Sequence, residues 1–205
     1  MNVNEIYENK KKSFLFNDSN EFQILRKKLI EKFNLSPKNI RNNESLKHLD
    51  LNVLKFNYNG QDITLINIHY KCCDGSEDRR EQASLLLHNY ITTNMANEKV
   101  IIVGDYNDEL IDDNNVFDVF INDNSFSFTD LDIAAGSSAF WSFPGWPSHI
   151  DHILITSELF NYEIETATVL IDNSMNGYFS TYDEYVSDHR PVGISLNILP
   201  LIGNR

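Results

Sequence analysis

Aspartate, asparagine and histidine recur at four places in the chain, each at or beside the end of an apolar, strand-like run. The four segments are NIHYK at 67–71, GDYN at 104–107, IDHILI at 150–155 and SDHRP at 187–191. Carboxylates can orient or deprotonate water and hold divalent cations, and a protonated imidazole can stabilise charge that develops on oxygen. Because rigid strands can aim their terminal side chains into a common cleft, the pattern is typical of a hydrolytic site.

Asp105 follows the β-branched run VIIV and a glycine. Gly104 permits a sharp turn, so the carboxylate can project from the strand end, next to Asn107. A carboxylate fixed in this way can orient or deprotonate a water molecule. The plain alternative is that Gly-Asp-Tyr-Asn is only a turn, since all four residue types favour turns.

Asp151 lies among isoleucines and a leucine, where an unpaired carboxylate is costly. Pairing with a histidine would remove that cost, whereas outward projection on an amphipathic strand is the alternative. Asp188 and His189 precede a proline that fixes the outgoing chain, and on their own they are equally typical of a charged surface patch. His69 shares a strand face with Asn67, where a hydrogen-bonded structural histidine is the alternative to a catalytic one.

In this order, the four segments resemble the C-terminal motifs of the endonuclease/exonuclease/phosphatase superfamily, over roughly residues 50–198. Its members include DNase I-like nucleases, abasic-site endonucleases, inositol polyphosphate phosphatases and neutral sphingomyelinases. The resemblance implies a divalent-metal-dependent phosphoester hydrolase, with nucleic acid, phospholipid or a small phosphoester as substrate. The implied fold is a four-layer α/β sandwich of the DNase I-like type, here without its N-terminal strands.

The resemblance also implies a role for each residue. Asp105 activates the attacking water, Asn107 holds that aspartate or the phosphate, and His69 acts as general acid to the leaving oxygen. His189 contacts the scissile phosphate and Asp151 orients its ring. The remaining implied ligands are Asn67 for the substrate, and Asp188 with Asp105 for Mg²⁺ or, alternatively, Mn²⁺.

The family pattern also contains a strand with a Trp-Asn pair and a strand-ending glutamate that is the principal metal ligand. The upstream glutamates, Glu5, Glu8, Glu21, Glu31 and Glu44, lie in a polar arm or on a helix face and do not match it. This departure predicts either a missing N-terminal segment or partner chain, or a non-catalytic domain of the same fold. A magnesium titration would separate these two hypotheses.

The elements that must position these residues follow from hydrophobic periodicity. We predict a polar arm over 1–18 and one partial domain over 19–205, which begins with a helix at about 20–33. Two strands, 51–58 and 61–71, flank Asn59-Gly60 and predict a hairpin. A helix near 77–94 and the buried strand VIIV follow. The predicted class is mixed α/β or α+β, with helices packed on a sheet.

The rest of the chain is predicted with fewer elements. Residues 105–148 favour long surface loops with one or two short elements, because Asp, Asn, Ser and Gly dominate. Strands are predicted at 149–156, 163–171 and 192–198, with a polar loop leading to the SDHRP segment. The aromatic loop FWSFPGWP at 140–147 either packs a long loop or shapes substrate choice.

Charge and composition limit the function classes. The 205 residues carry 17 Lys+Arg and 30 Asp+Glu, a net charge of −13, which disfavours a module that holds nucleic acid by phosphate contacts alone. Neither a signal peptide nor an apolar run of the ~18 residues needed to span a membrane is recognisable. Cys72 and Cys73 are adjacent, which excludes a disulfide framework and slightly favours a reducing, cytoplasmic location.

Overall fold

The computed structural model describes residues 36–38, 52–73 and 75–200. The predicted polar arm, the predicted helix at 20–33 and all five upstream glutamates lie outside the described residues. Within them, the main element is a six-stranded sheet, in which the first four strands of the chain lie in sequence order, followed by the sixth and then the fifth. The seventh and eighth strands form a second, two-stranded sheet.

The first strands form the hairpin that the sequence predicts. Strand β1 (Ser36–Lys38) pairs with β2 (Asn52–Tyr58), which turns at Asn59-Gly60 into β3 (Gln61–His69). Both turn residues have positive φ, 54° at Asn59 and 80° at Gly60. Asparagine and glycine tolerate this conformation, so the dipeptide sets the register of the two strands.

Helix α1 (Glu77–Asn94) connects β3 to β4 (Lys99–Asp105), and these two strands are parallel. Strand β6 (Asp151–Thr156) lies antiparallel to β4. Strand β5 (Phe126–Phe128) closes the other edge of the sheet against β6. The order places the ends of β3, β4 and β6 side by side.

Alternation along the central strands divides the core into two apolar clusters. On one face, Ile66, Ile102 and Leu154 pack with Leu87 and Ile91 of α1. On the other face, a second cluster packs with β7 (Glu163–Thr168) and β8 (Val192–Leu196); its central-strand members are Ile63, Ile101, Ile153 and Ile155. The predicted arrangement, a mixed α/β fold with sheet against sheet and a helix outside, is confirmed.

Between β4 and β6 the chain is more ordered than the sequence predicts. Residues 105–148 contain α2 (Asp118–Ile121), β5 and α3 (Leu131–Ala134), followed by a 3-10 turn at Ser138–Phe140. The segment buries Phe117 and Phe120 completely or nearly so. The prediction of surface loops with one or two short elements was too low in its number of elements, because a few widely spaced aromatic residues anchor short elements that show no periodic pattern.

One further helix, α4 (Tyr178–Tyr185), replaces the polar loop predicted before the SDHRP segment. It begins after Gly177, whose φ is 93°, and only Tyr182 among its eight residues is buried. A single buried residue gives no helical stripe, so periodicity could not detect the helix. Strand β7 also ends at Thr168, three residues before its predicted end at 171. None of the described helices is long and apolar enough to cross a membrane.

Candidate active site

Three predicted site residues lie in one row across adjoining strands. His69 at the end of β3 pairs in register with Asp105 at the end of β4, and Asp105 pairs with Asp151 at the start of β6. Side chains along a strand alternate between the two faces of the sheet. The three residues are out of phase with Ile66 and Ile102, which belong to the apolar cluster packed on α1. They therefore lie on the opposite face of the sheet, which carries β7 and β8. The sheet therefore brings together side chains that are up to 82 positions apart in sequence, as expected for strand ends that meet.

The local backbone fixes Asp105. Gly104 has a φ of 149°, and a Cβ there would collide with the carbonyl oxygen of Ile68, so only glycine fits between the two strands. The backbone N–H of Asn107 donates to Asp105 Oδ1 at 2.8 Å, and its side-chain amide donates to the Tyr70 carbonyl at 3.1 Å. Asn107 itself adopts φ 54°. In this arrangement Asn107 holds the aspartate.

His189 is hydrogen bonded to Asp151, with 2.7 Å between its Nδ1 and Asp151 Oδ2. The ring of Phe143 lies against the imidazole, with 4.7 Å between the ring centroids. The backbone N–H of His189 donates to Ser187 Oγ at 3.0 Å. These contacts leave the other ring nitrogen, Nε2, as the atom through which His189 can meet a substrate.

The pKa values of His189 and Asp105 are both raised by their surroundings. The hydrogen bond from the imidazole to Asp151 raises the pKa of His189, and the nearby Asp105 and Asp188 carboxylates act in the same direction. Burial raises the pKa of Asp105, and the Asp151 carboxylate adds to this effect. Asp105 therefore accepts a proton more readily, and His189 keeps its proton up to a higher pH. Such a combination is typical of sites that carry out acid–base chemistry.

His69 and Asn67 lie beside this centre. His69 Nε2 is 3.5 Å from Asp105 Oδ2, and its side chain is 71% exposed, so it can reach a bound substrate. Asn67 lies on the same face, two residues earlier, and its amide is 3.5 Å from the Val103 carbonyl oxygen. Asn67, Asp151 and His189 all line a cleft of about 370 Å³.

Asp188 is exposed and directly precedes His189. With Asp105 it offers carboxylate oxygens, which are the donors that Mg²⁺ prefers, together with water and substrate oxygen. Asp105 also lies in direct register with Asp151, and a divalent cation would relieve the repulsion between their charges. The donor set fits a weakly held Mg²⁺ or Mn²⁺.

A second polar cluster, which the sequence pattern did not predict, lies on the other face of the sheet. Asp130, His149 and His152 are fully buried, and one carboxylate oxygen of Asp130 meets both rings, at 3.0 Å and 2.6 Å. Their facing ligand atoms lie within 4.8 Å of one another, a spacing that a metal ion could use. Two imidazoles and one carboxylate suit a transition metal better than Mg²⁺. Both histidines flank Asp151, yet the strand pattern alone placed them on different faces.

A further cavity of about 450 Å³ lies beside Asn107. Its lining is strongly acidic, and its one basic side chain, Arg80, is bonded to Asp108 at 2.7 Å. Trp146, at the mouth, is 78% exposed. The carboxylates that line it are Glu77, Asp108, Glu109, Asp112 and Asp113. A polyanion that extends from the site in this direction would meet negative charge.

Comparison with solved structures shows the same fold. Zebrafish (D. rerio) TDP2, crystallised with a single-strand DNA product, superposes with a TM-score of 0.56 at 14% identity, over 80% of this chain and 67% of that one. Truncated Caenorhabditis elegans TDP2 gives 0.55 at 11% identity, over 80% and 65% of the two chains. An endonuclease/exonuclease/phosphatase family protein from Bacteroides thetaiotaomicron gives 0.50 at 16% identity, over 72% and 54%.

This chain therefore spans between about half and two thirds of the length of these solved relatives. No curated protein sequence matches it. The family model described as Endonuclease/Exonuclease/phosphatase family matches residues 28–189, which include every segment of the candidate site. With that match, and with the strand-end geometry described above, the chain belongs to the endonuclease/exonuclease/phosphatase family.

Proposed function

We propose that this chain is a divalent-metal-dependent hydrolase of phosphate esters, in which water attacks phosphorus in line with the leaving oxygen. The observation that carries the proposal is the row of His69, Asp105 and Asp151 on adjoining strands, with His189 hydrogen bonded to Asp151 at 2.7 Å. Family membership supports the reaction class. The residue roles are those that the family resemblance implies for the matching positions of this chain.

In the proposed mechanism, Asp105 orients the attacking water and accepts its proton. Its raised pKa favours this role, because burial and the Asp151 charge make the carboxylate a stronger base. The Asn107 N–H holds Oδ1, which leaves Oδ2 to face the water. Because the carboxylate is already fixed, it does not have to reorganise as the bond forms.

His189 is assigned to the phosphate. Its imidazolium form donates from Nε2 to a non-bridging oxygen, while Asp151 fixes the ring through Nδ1 and stabilises the positive charge. His69, whose exposed side chain lies beside Asp105, is assigned to protonate the leaving oxygen. Asn67 contributes an amide to the same cleft.

Asp105 and Asp188 are the residues that would hold Mg²⁺ or Mn²⁺. When bound, the ion supplies positive charge to the phosphoryl oxygens. Among substrates, the zebrafish TDP2 complex with a single-strand DNA product supports nucleic acid. The acidic cavity beside Asn107 and the net charge of −13 favour a small phosphoester over a long polyanion.

The proposal is tested with Asp105→Ala and His189→Ala on a chromogenic phosphodiester with Mg²⁺, alongside lipid and nucleic-acid substrates. We expect each variant to lose activity at least ~100-fold while the circular dichroism spectrum is unchanged, and chelation to abolish the wild-type rate until Mg²⁺ is restored. His88→Gln and Asp123→Asn are matched controls, since these residues form a similar pair at 2.8 Å away from the site. Retained activity in both site variants would refute the assignment.

The second candidate is a non-catalytic remnant or accessory domain of the same fold, without the metal-binding glutamate of the family pattern. Two candidate carboxylates, Asp105 and Asp188, favour it, because such a set binds Mg²⁺ weakly. Calorimetric titration with Mg²⁺ separates the candidates. Saturable heat that Asp188→Asn removes supports the hydrolase, and no binding together with no turnover supports the accessory domain.

A further inference from the structure

Strand β5 does not extend along the whole of β6. Strand β5 pairs with residues 154–156 only, while the catalytic Asp151 lies beyond the end of that pairing. Strand ends normally satisfy their N–H groups through a neighbouring strand or water. Here the edge of β6 around Asp151 is instead held by two buried side chains from the preceding segment, Asp130 and Ser142.

Asp130 binds residues that lie before and after Asp151 in the chain. Its Oδ1 accepts the backbone N–H of Ile153 at 2.9 Å. Its Oδ2 accepts from His149 Nε2 at 3.0 Å and from His152 Nδ1 at 2.6 Å. Since Asp130 is itself fully buried, these bonds form away from competing water and are correspondingly strong.

Ser142 binds the backbone N–H groups of Asp151 and of the residue before it. Its Oγ accepts the N–H groups of Ile150 at 3.2 Å and of Asp151 at 3.1 Å. Its own N–H donates to His149 Nδ1 at 3.2 Å, and its carbonyl accepts the N–H of Arg190 at 2.7 Å. One buried serine therefore binds the residue that carries the catalytic carboxylate and the residue that follows His189.

The hydrogen bonds also fix the protonation of the two buried rings. His152 faces an acceptor at each nitrogen, Asp130 at Nδ1 and the Asp108 carbonyl at Nε2, so it is a donor at both. His149 accepts at Nδ1 from Ser142, so it donates at Nε2. Every facing nitrogen and oxygen thus takes part in a hydrogen bond within the cluster, so the three side chains hold one another in place.

We infer that Asp130 and Ser142 are positioning residues for the reaction proposed above: they clamp residues 149–153 so that Asp151 meets the imidazole of His189. The inference rests on the proposed function for its kinetic consequence, but the geometry of the Asp151–His189 bond can be tested without it. A misplacement of about 1 Å in such a group costs about 100-fold in rate.

The test uses Ser142→Ala and Asp130→Asn in the full chain, with Ser84→Ala as control, because Ser84 is an equally buried serine in α1. The first readout is the downfield NMR signal of the His189 Nδ1 proton, assigned by its loss in His189→Gln. We expect this signal to weaken or vanish in both clamp variants and to persist in the control. An unchanged signal in Ser142→Ala overturns the inference, even where Asp130→Asn fails to fold.

The second readout is kinetic. In Ser142→Ala we expect kcat to fall about 10- to 100-fold with KM within about twofold, because the other substrate contacts remain while the His189 imidazole is misaligned for the charge that develops on phosphate in the transition state. Ser142→Thr, which keeps the Oγ, should recover part of kcat. Equal kcat in wild type and Ser142→Ala counts against the clamp. A wild-type enzyme with no metal-dependent turnover refutes the proposed function but leaves the NMR result decisive.

Discussion

At the scale of single residues, Asp151 acts on two neighbouring groups of the site, His189 and Asp105. It accepts a hydrogen bond from His189 and at the same time lies in register with Asp105, so one carboxylate acts on the pKa values of both residues. It raises the pKa of the imidazole by stabilising its charged form, and raises that of the neighbouring carboxyl group by repulsion.

The first prediction concerns the titration of His189. The folded pKa lies above the ordinary value of about 6.5, so the stabilisation it provides is complete below that pH and is lost as the pH rises through the folded pKa. Asp151→Asn removes the hydrogen-bonded charge and should lower the His189 pKa. Two-dimensional NMR titration of the ring protons, without metal, measures it. An identical titration in Asp151→Asn and wild type would contradict the assignment.

At the scale of elements, the close approach of β3 and β4 makes the row of strand ends possible. Gly104 is the contact point, since any Cβ there meets the Ile68 carbonyl while the backbone stays at φ 149°. The strand pairing continues past this point to His69 and Asp105. A glycine between β3 and β4 is therefore a requirement of packing as much as of turn geometry.

The second prediction is that Gly104→Ala destabilises the fold by about 2–3 kcal/mol, because the backbone conformation is strained for alanine and the strands must separate. Chemical denaturation measures the free energy of unfolding. Gly145→Ala is the matched control, since a Cβ at Gly145 meets no atom within 4 Å. Equal stability of the two variants would show that the strands tolerate separation.

Sequence patterns predicted the elements whose information is local. The alternation around Asn59-Gly60 gave the hairpin, and the VIIV run gave β4, because each depends on neighbours in the chain. Helix α4 escaped detection because one buried tyrosine makes no stripe. The Asp130 clamp escaped because its partners are 19 to 23 residues away, in a segment without periodicity, and only the folded sheet brings them together.

At the scale of the whole molecule, electrostatics act against the substrate class that the site is proposed to accept. The chain has a net charge of −13, and the cavity beside Asn107 adds local carboxylates. Burial and the neighbouring acids Asp112 and Asp108 raise the pKa of Glu109, as expected in a crowded acidic lining. Long-range repulsion of this kind weakens with ionic strength.

The third prediction is a salt dependence opposite to that of a basic nucleic-acid-binding protein. With Mg²⁺ held saturating, KM for a single-stranded oligonucleotide should fall as salt rises from about 20 to 200 mM, because screening removes repulsion. KM for a small monoanionic diester should change much less. Steady-state kinetics at several salt concentrations measure both, and a KM that rises with salt would indicate an unrecognised cationic binding face.

Strand β6 carries two adjacent residues with opposite duties. Asp151 faces the cleft while His152 faces the buried Asp130, since neighbouring positions on a strand point to opposite sides of the sheet. A deletion of one residue between Asp151 and the rest of the strand would exchange the positions of Asp151 and His152 between the cleft and the interior. A length change in the hairpin between Phe143 and Ser148 would leave this alternation intact, because that hairpin lies upstream of the strand.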